Sequence, residues 1–193
     1  MSSCVECFFY SGLTGKALQI FADQEHPNFA CEAEVCSPHS PAPVADDEKL
    51  AFLIIDPTHI DKTRGEITPD AFGELTKRDL SVLRVRHATR AEAEATREEL
   101  VQRGAQKTPP ELRLVDEVCI ARAERIRGAR IDGTRILAVY DTALEGKPAH
   151  ASVFTNELGL TSGKRMRKQI REACYSVFRD VIVSYDEFAR QLS

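Results

Sequence analysis

The chain has 193 residues, 42% hydrophobic and 29% charged, which suits a globular protein able to bury a real core. Its longest apolar run, Leu50 to Ile55, is strand-sized, and this excludes a spanning helix of about 20 apolar residues. The formal charge of −4 arises at the front, where residues 1–50 hold eight acids against Lys16 and Lys49, a poor general grip for phosphates.

Taken in chain order, Thr14 to Gln24 reads as a helix with Leu18, Phe21 and Ala22 on one face. Ser37 to Pro43 carries three prolines and reads as an extended linker, which sets a boundary between residues 1–43 and 44–193. Leu50 to Asp56 is a buried strand or the end of a short helix, and Asp56-Pro57 ends it. Leu80 to Arg86 alternates like a half-buried strand. Thr89 to Arg103 is a helix opened by a capping box, Thr89-x-x-Glu92, and Gly104 is expected to stop it. Val118–Ile126, Thr134–Tyr140 and Ala149–Phe154 read as strands, the first two joined across a turn between Gly128 and Gly133. Thr161–Phe178 returns to helix with Met166, Ile170, Ala173, Cys174 and Val177 on one face, and Asp186–Leu192 adds a short last one. The fold class is therefore α+β: a small mixed or antiparallel sheet of four or five strands packed against two main helices.

Four cysteines stand in the first fifth of the chain, Cys4 and Cys7 as C-x2-C and Cys31 and Cys36 as C-x4-C. Two close thiolate pairs on either side of a loop match a tetrahedral Zn²⁺ cage, structural because every ligand comes from protein. His26 or His39 could replace one cysteine. Cys119 and Cys174 fall in strand and helix patterns and read as core thiols. The N-terminus has no basic segment leading into an apolar stretch, so the expected location is the cytoplasm, where thiols stay reduced. The alanine- and arginine-rich vocabulary is that of a high-GC bacterium.

Two glycine-lysine segments, Gly12 to Lys16 and Gly159 to Lys164, lack the four-residue spacing and following hydroxyl of a P-loop, so both read as helix starts. Lys164, Arg165, Arg167, Lys168 and Arg171 cover one helix face, with Lys164, Arg165 and Lys168 the candidate anion-binding residues near its N-terminus. No aromatic residues stand close enough in sequence to favour single-strand stacking. Of the body histidines His59, His87 and His150, His59 lies between Asp56 and Asp61, and His150 opens a strand where it could meet His59 in a cleft.

The order Pro57-x-His59-Ile60, Gly65-Glu66-Ile67, Ala71-Phe72, Leu80-Ser81-Val82 and Lys147-Pro148-Ala149-His150-Ala151 resembles a family of small bacterial proteins, over roughly residues 50–155. The resemblance implies one compact α+β domain, to which this chain adds the cysteine module in front. It implies no activity, and it points to His59, Ser81 and His150 as the candidate catalytic residues.

Three functions fit these residues. The first is a cytosolic zinc-binding protein, its zinc structural, that acts by binding a protein or anionic partner through the basic helix face. The second is a hydrolase or transferase of a phosphorylated or nucleotide-like substrate, with His59 as base, His150 beside it and Lys164 or Arg165 as clamp. The third is a nucleic-acid-binding protein using the zinc module and the basic helix together.

Overall fold

In a computed structural model the described residues are 4–10, 29–155 and 163–192, Cys7 by its backbone alone. The helix expected over Thr14–Gln24, and His26 with it, lies outside them. The elements in chain order are strands β1 (Lys49–Asp56), β2 (Ile60–Asp61) and β3 (Glu66–Ile67), a 3-10 segment (Pro69–Thr76), β4 (Leu80–Arg84) and helix α1 (Arg90–Ala105). Then come β5 (Leu114–Arg122), α2 (Ala123–Arg127), β6 (Arg130–Ile131), β7 (Thr134–Arg135), β8 (Leu137–Tyr140), β9 (His150–Thr155), α3 (Lys164–Phe178), β10 (Ile182–Ser184) and α4 (Tyr185–Arg190). Two short elements, Glu6–Tyr10 and Ala30–Ala33, precede them.

The fold is α+β. Six strands form one antiparallel sheet in the order β10-β5-β1-β4-β9-β8. Because side chains alternate across a strand, each face acquires its own cover. Leu50, Phe52, Ile54, Leu80, Val82, Val139 and Val153 meet Phe72, Leu75, Ile170, Cys174 and Phe178, so α3 and the 3-10 segment close one face. Ala51, Leu53, Leu83, Val118 and Ile120 meet Ala93, Tyr185, Phe188 and Ala189, so α1 and α4 close part of the other. Ala138, Tyr140 and Phe154, on that second face but at the β8 edge, are covered instead by Phe8 and Phe29 from the front of the chain. Phe8 lies 4.7 Å from Tyr140 between ring centroids. Burying side chains of this size contributes about 2 kcal/mol each, so the front is held by apolar contact.

The capping box forms as read, with Thr89 accepting from the Glu92 N–H at 3.1 Å. Gly104, expected as the stop, sits inside the last turn of a helix that runs to Ala105. Its role is close approach: a Cβ there would lie 2.6 Å from the Glu111 carbonyl oxygen. The strand expected over Val118–Ile126 instead ends at Arg122, and residues 123–127 form α2, which buries Ala123 and Ile126 against the core. The proline segment does not run free. Ser37 donates to the Ala143 carbonyl at 2.5 Å, and the carbonyls of Ala42 and Pro43 accept from Arg84.

Candidate functional site

β4 lies third from the β8 edge of a six-stranded sheet, yet its Ser81 is exposed to solvent. Among the described residues the cover of that face is divided: α1 and α4 lie over β1, β5 and β10, and the head lies over β8. Register fills the strip between them with polar groups. Ser81 pairs with Ser152, Leu83 with His150, and Ser152 in turn with Tyr140. Ser81 and His150 are thus diagonal neighbours on one face, with Cα atoms about 7 Å apart.

A chain of hydrogen bonds crosses this strip. Ser152 donates to Asp79 Oδ2 at 2.6 Å. Thr142 Oγ1 is 2.8 Å from Ser152 Oγ. His150 Nδ1 lies 2.8 Å from the Thr142 carbonyl oxygen and 3.1 Å from Thr142 Oγ1. Donor counting orients the chain. A carbonyl oxygen only accepts, so His150 Nδ1 carries the hydrogen. Ser152 has one hydrogen and gives it to Asp79, so Thr142 donates to Ser152 and its oxygen faces the imidazole N–H. Every link points toward the carboxylate, and the tautomer left on His150 has its lone pair on Nε2, which no described group engages. Burial holds the His150 pKa below its ordinary value, while the Thr142 carbonyl and Asp79 push the other way. Lys147, the cation beside this histidine, is already spent on Glu99 at 2.6 Å.

His59 is elsewhere. Its ring stacks on Phe52 with centroids 5.5 Å apart, on the α3 side of the sheet, whereas His150 pairs with Leu83 on the opposite face. The expected His59–His150 cleft is therefore not formed, because the turn after β1 lays His59 on Phe52 while β9 aligns His150 with Leu83 on the other face. His59 Nδ1 accepts from the Ile55 N–H at 3.0 Å, which closes the turn after β1. Burial, helped by Arg113, lowers its pKa to about 4. His87 is half-buried, with Nε2 3.8 Å from Glu48. Ser81 and His150 are the two of three candidate catalytic residues that the fold brings together.

The candidate anion clamp also lies apart from His150, since α3 packs on the far face. Lys164 and Arg165 are exposed on its first turn, Lys168 is 3.6 Å from Glu172, and Arg171 is 3.2 Å from Asp70. Residues 156–162, which include most of the second glycine-lysine segment, lie outside the described residues.

At the front, Cys4 and Cys31 form a disulfide, one cysteine from each close pair, with Cα atoms 5.7 Å apart. Cys36 is buried and outside that disulfide, its Sγ 3.4 Å from the Cys31 carbonyl oxygen. His39 stacks edge-on against Phe9. Cys119 and Cys174 are buried free thiols in the core, and burial raises both pKa values, that of Cys119 to about 12. Among the described residues no group of three or more His, Cys, Asp or Glu is arranged to hold a metal ion.

Several residues of the polar strip and of a second polar cluster carry no local motif. Asp79, Thr142 and Ser152 meet only through strand register. Arg84 is fully buried, donating to Glu48 at 2.7 and 2.9 Å and to Asp141 at 3.3 Å. Burial raises the Asp141 pKa to about 6, and Arg84 counters it. The signal for Arg84 was present: alternation through Leu80 and Val82 turns position 84 inward, and a buried guanidinium requires acids. A shallow cleft of about 460 Å³ beside this cluster is lined by Glu32, Val44, Asp46 and Arg127. Its charges are spent on each other, since Arg127 bridges Glu32 and Asp46 and Arg135 also pairs with Glu32.

Comparison with family models, with curated proteins and with solved structures finds no match. No helix among the described residues is long and apolar enough to cross a membrane.

Proposed function

We propose that this protein is a hydrolase or transferase of uncharged acyl groups, an ester or an amide, with His150 as general base and Ser81 as nucleophile. The supporting observation is the oriented chain from His150 to Asp79, which leaves the Nε2 lone pair free near an exposed serine whose hydroxyl makes no hydrogen bond among the described residues. In this reading Nε2 takes the Ser81 proton as Oγ attacks the carbonyl carbon. The imidazolium formed is steadied through Thr142 and Ser152 by Asp79, the role a buried carboxylate plays in a serine triad. It returns that proton to the departing alcohol or amine. Water then resolves the acyl-serine with the same base.

Among the described residues the cation at this strip, Lys147, is neutralised by Glu99 and α3 is on the other face, which favours a neutral acyl group over a phosphorylated substrate. A nitrophenyl ester panel together with a fluorophosphonate probe tests the reading. Turnover and labelling of Ser81, both lost in His150→Asn, are expected; turnover that survives that substitution would reject it.

A second reading, docking of an anionic partner on α3, is supported by Lys164 and Arg165, exposed and without an ion-pair partner among the described residues. Binding to a polyanion resin that is unchanged in a Lys164→Ala/Arg165→Ala variant would remove it.

A further inference from the structure

We infer that the cysteine head is an exchangeable metal site, holding one Zn²⁺ when reduced and surrendering it to the Cys4–Cys31 disulfide when oxidised. This rests on the head alone and stands or falls separately from the acyl-transfer reading. Three observations carry it. The disulfide joins the two close pairs instead of closing either one, so one cysteine of each meets the other. Cys36 lies where they meet, its Sγ 3.4 Å from the Cys31 carbonyl oxygen, and shares with Cys4 and Cys31 one buried cluster under Phe8 and Phe29. Cys7 follows Cys4 by three residues in the sequence, the C-x2-C spacing from which a fourth ligand would come.

Geometry permits the exchange. Zn–S bonds of about 2.3 Å put two tetrahedral sulfurs about 3.8 Å apart. A cysteine pair with Cα atoms 5.7 Å apart reaches that spacing by side-chain rotation, without unfolding the head. Once two sulfurs are committed to each other, only two of the four cysteines remain to bind a metal.

The oxidant is a peroxide. The Cys4 and Cys31 thiolates each give up one electron and form the S–S bond. The peroxide O–O bond breaks, taking those two electrons and two protons from solvent to give two waters. Zn²⁺ leaves with its charge unchanged, and the other thiolate ligands each take up a proton.

The full-length chain, reduced under nitrogen and loaded with zinc chloride, should retain about one zinc per chain by elemental analysis. Hydrogen peroxide should then release that zinc to a chromogenic chelator in step with appearance of the Cys4–Cys31 cross-linked peptide by mass spectrometry. A Cys36→Ser variant should lose zinc retention several-fold yet still form the cross-link. A reduced chain without zinc, a cross-link formed with zinc retained, or zinc retention unaffected by Cys36→Ser would each overturn the inference.

Discussion

His59 and His150 look alike in sequence, each set near a proline and at the border of an apolar strand, and both are drawn below the ordinary histidine pKa chiefly by burial. Their partners set them apart. At His59 the Nδ1 atom receives the Ile55 N–H, so the proton of the neutral ring sits on Nε2 and the ring acts as a turn clasp stacked on Phe52. At His150 the Nδ1 atom donates to a carbonyl, so Nε2 is the basic atom. The polarity of one backbone contact separates a structural histidine from a candidate base.

Asparagine sharpens this contrast, because its side-chain amide can imitate Nδ1 in either role while deleting Nε2. In His150→Asn the amide N–H can still donate to Thr142, so the fold should persist while acyl turnover falls about 10²- to 10⁴-fold, the range of general-base loss. Steady-state kinetics beside a thermal melt checks both halves. His59→Ala is the opposite case. It strands the Ile55 N–H and opens a gap against Phe52, so chemical denaturation should reveal a loss of about 2–4 kcal/mol with kcat/KM unchanged below the melt. His59→Asn, which restores an acceptor, should recover part of that loss.

Acid provides the next contrast. The His59 pKa is 6.5 when unfolded and about 4 when folded, so between those values the unfolded chain binds the extra proton. Stability should therefore fall as pH drops from 6.5 toward 4, by at most about 3 kcal/mol from this residue. His87, His150 and Glu48, all lowered, act in the same direction. Asp141, raised from 3.8 to about 6, opposes them, because its folded form holds the proton. Denaturation midpoints across this window should slope downward toward acid, and the slope should flatten in His59→Asn; an identical slope there would assign the loss to other groups. The smallest expected effect is that of Ser152→Ala. It cuts the link to Asp79 without touching Nε2, so kcat should drop about tenfold and the acid limb of the pH–rate profile should move, with KM steady.

Local pattern made the elements legible. The Thr89 capping box, the apolar run of β1 and the helical spacing of α3 are each set by residues a few positions apart, which is the range over which propensity and capping act. Val118 to Ile126 misled because one stretch with regularly placed apolar residues can end a strand and begin a helical turn, and packing of Ala123 and Ile126 decides between them. The site was legible only in its parts. Ser81 and His150 were visible as polar residues opening or interrupting apolar strands. Their proximity, and the links through Asp79, Thr142 and Ser152, depend on the β4–β9–β8 register, which spans more than 70 residues of chain between Asp79 and Ser152. The separation of His59 from His150 depends on the turn after β1, which lays the His59 ring on Phe52.

These two rings hold opposite tautomers, which two-bond ¹H–¹⁵N correlation spectra of the folded protein at neutral pH distinguish. His150 should be protonated on Nδ1 with a bare Nε2, and His59 protonated on Nε2. A His150 ring that carries its proton on Nε2 would contradict this, since the atom assigned as base would then have no lone pair to use.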